Sequence, residues 1–509
     1  MAGRILPNFV KRSGASFETI ENFSKNANIS DARLGSLPSA GVPLAQLDEN
    51  VYLTSKEELH TFLIGDSGCG KTRRVIMPSI HFLAKAKESM VISDPKGELY
   101  RTTADMLERK GYEVLVLNFR NPEFGNRWNP LSYIQDLYRV GTDSSRDAAN
   151  MLLGEIADTF SQTVSAQDDP YWAISACSYF RGIASLILQF GKPGELTLEN
   201  VARLGREIGA CYDKNSNSSA IDPILRALPS DSPILNNLSP VITNAPNTRN
   251  CILSMFESML SLYSSQESLM DLFSVSEIDI TSIGEKPTAL FFILPDDSQA
   301  LYPIATVFVK QIYSALVRLA DSKRDGRLPT KVTFLLDEFA NFARLPSVES
   351  MLTAARSRGI RFVLVCQSMD QLAQKYTDDG MEILLANCRC WIFMSCRNLP
   401  FLQRLQSLCG DYTSPYTGET VPLISIERLQ QFKMGQILVF NDRCKPFIGY
   451  LTKDYSQVDF GPDYPGEEHS LPPHCRPYPR KVLTLPIFKE RFAFSQSRNP
   501  GFKTIDPLF

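Results

Sequence analysis

The stretch that most constrains this chain is Gly65-Asp66-Ser67-Gly68-Cys69-Gly70-Lys71-Thr72, which fits G-x-x-x-x-G-K-[ST] without a mismatch. The apolar run Leu59-His60-Thr61-Phe62-Leu63-Ile64 precedes it and reads as a buried strand, and Arg73 to Ala86 carries apolar residues at helical spacing. A strand before and a helix after give the motif its physical meaning. The glycines let the backbone curl so that successive N–H groups converge on an anion, and the helix N-terminus adds its partial positive charge. Gly65, Asp66, Ser67, Gly68, Cys69, Gly70, Lys71 and Thr72 therefore form a candidate cradle for ATP. Lys71 is placed to reach the β- and γ-phosphates and Thr72 to ligate Mg²⁺.

Binding alone is not hydrolysis. The partner that hydrolysis requires is read much later, where the hydrophobic run Lys331 to Leu336 ends in Asp337-Glu338, a Walker B arrangement. Asp337 at the strand tip is placed to hold Mg²⁺ through water, and Glu338 to polarise the attacking water. Gln367 ends the next strand, Arg361 to Cys366, where an amide can sense the γ-phosphate. The plainer reading of Gln367 is a cap at a strand end. Arg356, Arg358 and Arg361 flank Gly359 on the turn before that strand. A guanidinium forks onto phosphate oxygens, so one of them at the sheet edge is a candidate to enter the next subunit's nucleotide site; an exposed turn arginine is the alternative. Asp94, at the tip of the strand Ser89 to Ser93, either serves the P-loop and its metal or caps the following helix.

The alternation of strands and helices from the P-loop onward, through strands at Ser89 to Ser93 and Glu113 to Leu117, indicates an α/β fold: a parallel sheet with helices on both faces. From about Ser144 the texture changes. Asp147 to Gln162, Tyr171 to Phe190, Thr197 to Ile208, Ser218 to Leu228 and Asn247 to Leu262 read as helices. The expected organisation is an extended lead-in over 1–50, a nucleotide-binding domain in two pieces over 51–143 and 285–455, an all-α insertion over 144–284 and a Pro-rich tail over 456–509. Val51 to Ser55 reads as a strand ahead of the P-loop strand.

Composition sets bounds. A chain of 509 residues is long for one core, and a net charge of −3 argues against a protein coated in nucleic acid, though not against a basic lining in a pore. The 11 cysteines form no C-x-x-C pair, which favours reduced thiols in a cytosolic compartment. His469, His474 and Cys475 sit among prolines without a fourth ligand and do not make a metal site. No apolar run reaches the roughly 18 residues that a membrane span needs. The expected location is cytoplasmic, or peripheral at the inner face of the cell membrane.

Taken together, these pieces resemble the type IV coupling proteins of conjugation and type IV secretion, the TraG/TraD-type P-loop ATPases. The resemblance rests on Gly65 to Thr72, Asp94-Pro-Lys-Gly-Glu98, Arg127-Trp128-Asn129-Pro130-Leu131, Asp169-Pro170-Tyr171-Trp172, Leu336-Asp337-Glu338-Phe339, Ala355-Arg356-Ser357-Arg358-Gly359 and Cys366-Gln367-Ser368, in the family's order over about residues 50–450. It implies a RecA-like P-loop NTPase sheet domain with an inserted all-α domain. It also implies a hexameric ring with ATP between subunits, driving DNA or relaxase-bound nucleoprotein toward a type IV secretion channel. By position it makes Arg356 the arginine acting in trans, with Arg358 in reserve, and Gln367 the γ-phosphate sensor. The family's usual N-terminal transmembrane helices have no counterpart here, so a separate membrane tether is one expectation. Two other readings use the same motor motifs: an ATP-gated docking protein for protein cargo, and a HerA/FtsK-like DNA translocase working with a nuclease in a defence system.

Overall fold

The computed structural model describes residues 14–56, 59–163, 170–210, 212–213, 218–219, 221–414, 416–463, 469–472 and 478–498. Its centre is a nine-stranded sheet. From one edge to the other the strands are Phe447–Tyr450, Gln436–Asn441, Cys390–Phe393, Thr61–Ile64, Ile360–Cys366, Val332–Leu336, Ser89–Asp94, Thr288–Ile293 and Glu113–Asn118. The seven from Cys390–Phe393 onward run parallel, and the first two pair antiparallel at the edge.

The parallel strands are buried on both faces, so their sequences are continuous apolar runs and alternate residues serve two cores. Phe62, Phe334, Phe362 and Phe292 point into one core, which continues through the helices of residues 132–272. Leu63, Leu335, Val363 and Phe291 point into the other, under the helices Met77–Lys85 and Glu98–Arg109.

The helical lobe holds the long helices Asp143–Ser161, Pro170–Phe190, Leu198–Ala210 and Pro246–Ser265. Its joint to the sheet is the Arg127-Trp128-Asn129 segment. Trp128 is fully buried with its ring 4.5 Å from Phe308, while Arg127 pairs with Asp271 at 3.0 Å and Glu277 at 3.1 Å. Among the described residues, Pro170–Phe190 alone is long and apolar enough to cross a membrane, and 56% of its most apolar window is buried in the fold.

Three expectations are corrected. The described part of the expected lead-in, residues 14–50, is not a plain extended segment. Asn28–Asp31, Pro43–Gln46 and Val51–Thr54 form a separate antiparallel sheet, preceded by the short helix Ile20–Ser24, whose Phe23 ring stacks on Phe447 at 4.2 Å. Val51–Thr54 thus belongs to a different sheet from the P-loop strand. These strands are four residues each and mix polar with apolar side chains, so their pairing, not their composition, defines them. Ser218 to Leu228 is not one helix: Ser218–Ser219 is a short strand, and the helix is Asp222–Ala227, opened by Asp222-Pro223.

The C-terminal stretch is more than a tail. Phe460 and Asp463 lock onto the helix after the P-loop, with Lys85 Nζ donating to Phe460 O at 3.1 Å and to Asp463 at 2.5 Å. Further on, Leu485–Arg498 is a helix whose Phe488 and Phe492 pack on Phe190 of the helical lobe. Apolar residues at helical spacing give that segment a face to bury. His474 and Cys475 lie outside the described residues; His469 Nε2 is 3.5 Å from Glu108, and no metal-binding group of side chains occurs among the described residues. The nine described cysteines are free thiols.

Candidate active site

The P-loop strand Thr61–Ile64 lies between Ile360–Cys366 and Cys390–Phe393, and the loop leaves it at the carboxyl edge of the sheet. Gly65 N–H donates to Cys366 O at 3.2 Å and Asp66 N–H to Ser395 O at 3.2 Å, which anchors the loop to both neighbours. Gly68 and Gly70 have φ of +76° and +96°, a left-handed backbone that only glycine adopts without strain. Thr72–Ile76 then opens the helix as a π-turn, a widened form that recurs at functional sites. Lys71 is buried and folds over the loop, with Nζ donating to Gly65 O at 2.5 Å and Asp66 O at 3.2 Å. An ammonium held only by carbonyls is free to exchange them for phosphate oxygens.

The Walker B strand Val332–Leu336 delivers Asp337 and Glu338 to the same edge. Thr72 Oγ1 stands 3.5 Å from Asp337 Oδ2, and both line a cavity of about 260 Å³ with Lys71, Glu338 and Gln367. Ser93 Oγ donates to Asp337 O at 2.9 Å and fixes the strand tip. Burial pushes the Asp337 carboxyl up to about 7, the neighbouring Glu338 adds to this, and Lys71 opposes it. A hydroxyl and a carboxylate side by side, the latter short of a counter-charge, suit Mg²⁺ with its remaining positions filled by water and phosphate oxygens.

Glu338 has φ +55°, a left-handed conformation unusual for a side chain of this size. Its carboxylate accepts from Gln367 Nε2, so the amide at the tip of Ile360–Cys366 holds the acid that follows Val332–Leu336. Asp94 is occupied differently. Its Oδ2 accepts from Tyr100 N–H at 2.9 Å, which makes it a cap for Glu98–Arg109, while it also lines the cavity. Burial raises its carboxyl to about 6, against the pull of the helix amides.

Arg356 is not in this cavity. It lies on a short turn at the amino end of Ile360–Cys366, across the sheet from the P-loop. Arg358 bonds Asp321 at 3.0 Å. Arg361 is buried, with Nη2 on Glu88 at 2.6 Å, Nε on Thr333 Oγ1 at 3.0 Å and Nη1 on Ala40 O at 3.0 Å. Arg361→Ala would leave the Glu88 carboxylate buried and unpaired, so we expect it to lower stability by about 3–5 kcal/mol in urea unfolding. Arg356→Ala, which breaks no ion pair, should leave the midpoint within about 0.5 kcal/mol.

Sequence reading passed over His60. Its Nδ1 accepts from Phe362 N–H at 3.0 Å and its Nε2 donates to Leu352 O at 2.7 Å, so a neutral imidazole ties the helix Val348–Ala355, and with it the Arg356 turn, to the sheet. Burial lowers its pKa to about 4. A lone histidine inside an apolar strand was the signal.

The Asp337 carboxyl has a pH consequence. Its folded value of about 7 lies above the ordinary 3.8, so without metal its contribution to stability is full below about pH 4 and is lost as pH rises through 7. A divalent cation needs the carboxylate and competes with that proton. Mg²⁺ affinity should therefore fall roughly tenfold per unit below pH 7. The Mg²⁺-induced rise in thermal midpoint should be larger at pH 8 than at pH 6, and Asp337→Asn should remove the difference.

The family model described as type IV secretory system conjugative DNA transfer matches residues 23–421. The chain belongs to this family. Among members of this coupling family, Protein VirD4 of Agrobacterium fabrum (strain C58 / ATCC 33970) is 25% identical over 371 residues, 71% of this chain and 51% of VirD4. Conjugal transfer protein TraG of Escherichia coli is 24% identical over 425 residues, 80% of this chain and 61% of TraG. The chain thus spans about half the length of the VirD4 relatives. The same architecture, a RecA-like sheet domain with a helical lobe, occurs in the plasmid coupling protein TrwB. TrwB in complex with ADP and Mg²⁺ superposes with a TM-score of 0.62 at 15% identity, covering 90% of this chain and 99% of TrwB. TrwB with the non-hydrolysable ATP analogue ADPNP gives 0.61 at 15% identity, covering 92% and 99%. At such identity the likeness is one of fold.

Proposed function

We propose that this chain is a coupling ATPase that binds ATP with Mg²⁺, hydrolyses it, and uses the cycle to recruit and drive DNA or relaxase-bound nucleoprotein toward a type IV secretion channel. The observation that carries the reading is the meeting of Lys71 and Thr72, Asp337 and Glu338, and Gln367 around one cavity at the carboxyl edge of the sheet. Membership of the conjugative DNA transfer family supports the direction of that work, and the TrwB nucleotide complexes support ATP and Mg²⁺.

In this reading Gly65 to Thr72 wrap the phosphates, and Thr72 and Asp337 hold the metal, which supplies charge neutralisation on the phosphate oxygens. Glu338 orients and polarises the water, and Gln367 couples the γ-phosphate to Glu338 through their hydrogen bond. Arg356 faces away from its own site, so it acts on the nucleotide of a neighbouring copy in a ring, six-membered by the family resemblance. The chain works in the cytoplasm, or peripherally at the inner face of the cell membrane, with channel components or a separate tether as partners.

The test is ATP turnover and particle mass measured together, with and without single- or double-stranded DNA, at low and moderate salt. The expected result is a ring that forms on DNA and hydrolyses faster, with stimulation falling steeply as salt rises, because phosphate contacts release counterions. No stimulation by either form of DNA at low salt sinks the DNA-driven reading.

A further inference from the structure

Arg356 shares its surroundings with two other cations. Arg327, Arg356 and Arg389 line one cavity of about 430 Å³, together with Thr353, Ser357 and Asn387. The nearby Arg358 and Arg361 are engaged by Asp321 and Glu88. Arg389 gives one bond to Asp442, Nη1 to Oδ1 at 3.2 Å, which steadies the group and leaves its other N–H donors available. Among the described residues, the side chains of Arg327 and Arg356 make no ion pair, and no carboxylate lines the cavity. Three like charges around one hollow repel one another until an anion enters it.

We propose that Arg327, Arg356 and Arg389 form a three-guanidinium socket that receives the phosphate chain of a nucleotide held by a neighbouring copy of this chain. Arg389 is then a second phosphate-contacting group beside Arg356, and Arg327 a third. The proposal rests on the reading that nucleotide is shared between copies. Geometry excludes a shorter route. The strand Ile360–Cys366 touches the P-loop at its carboxyl end, where Cys366 O accepts from Gly65 N–H, and carries the socket at its amino end. Six steps of about 3.3 Å separate those ends by roughly 20 Å, too far for an arginine to return to its own P-loop. A head-to-tail contact between copies brings the socket of one against the loop of the next. Guanidiniums fork onto non-bridging oxygens, and three of them can span more than one phosphate.

The experiment measures ATP turnover for Arg327→Ala, Arg356→Ala and Arg389→Ala, each alone and mixed with Lys71→Ala, at concentrations where the wild type assembles. Lys71→Ala lacks the P-loop lysine but keeps an intact socket. The expected result for Arg389→Ala is a fall in kcat of at least about tenfold. Arg389→Lys should recover only part of it, since an ammonium keeps the charge and loses the fork. Adding the inactive Lys71→Ala chain should raise turnover above that of either variant alone, because an intact P-loop in one copy then meets an intact socket in the next. A thermal midpoint unchanged in the exposed Arg327→Ala separates the effect from unfolding. Turnover within twofold of wild type for both Arg327→Ala and Arg389→Ala overturns the socket, and with Arg356→Ala still impaired it leaves the shared-nucleotide reading standing. Wild-type turnover in Arg356→Ala sinks that reading itself. Impairment of Arg389→Ala without complementation shows that an intact socket in the next copy does not make good the loss, and also overturns the socket.

Discussion

Glu338→Gln is expected to bind ATP as tightly as wild type and to turn it over at least about 10²-fold more slowly. The amide is the same size as the carboxylate and keeps the left-handed turn and a hydrogen bond to Gln367, so the loop has no reason to move. What it loses is the ability to take a proton from water. Binding is read with a fluorescent nucleotide analogue and turnover by phosphate release. Turnover near wild type would remove Glu338 from the role of base, and loss of binding would show that it shapes the phosphate cradle instead.

A larger effect is expected for Arg356→Ala, a loss of turnover of about 10³-fold or more, in the range known for arginines that enter a phosphoryl-transfer site from outside. Its defining feature is that nucleotide binding by the isolated chain should not change, because the residue sits at the opposite edge of the sheet from the P-loop. Mixing Arg356→Ala with Lys71→Ala should raise turnover above that of either variant alone, since an intact P-loop in one copy then meets an intact Arg356 in the next. No rise in such mixtures would dismiss the role in trans.

Much of the site was legible because each part is local. The P-loop is eight consecutive residues with its strand and helix on either side, and Asp337-Glu338 closes an apolar strand that announces its own end. The parallel sheet was legible for the same reason, as its strands are apolar throughout. What the reading missed depends on partners far away in sequence. Arg356, Arg358 and Arg361 look alike on one turn, yet Arg361 meets Glu88 across 273 residues and Arg358 meets Asp321. Only those distant acids distinguish a buried strut from an available guanidinium. The N-terminal strands are short and partly polar, and nothing in residues 28–54 shows that they pair with one another. Asp94 was open between two roles because both a helix start and a phosphate site lie at the end of a parallel strand; its acceptor bond from Tyr100 N–H is decided by the turn between them.

The order of strands in the central sheet has a consequence for how the protein is made. Thr61–Ile64 is flanked by Ile360–Cys366 and Cys390–Phe393, which leave the ribosome some 300 residues after it. At about 5–20 residues per second, the P-loop strand waits roughly 15–60 s for either neighbour. During that time the helical lobe, whose helices contact one another at short sequence separation, has everything it needs to form. A fully apolar strand is meanwhile exposed with no partner. Synthesis of this chain is therefore a race between late sheet closure and aggregation, and slowing translation after residue 290 should lower the soluble yield more than slowing it before residue 130.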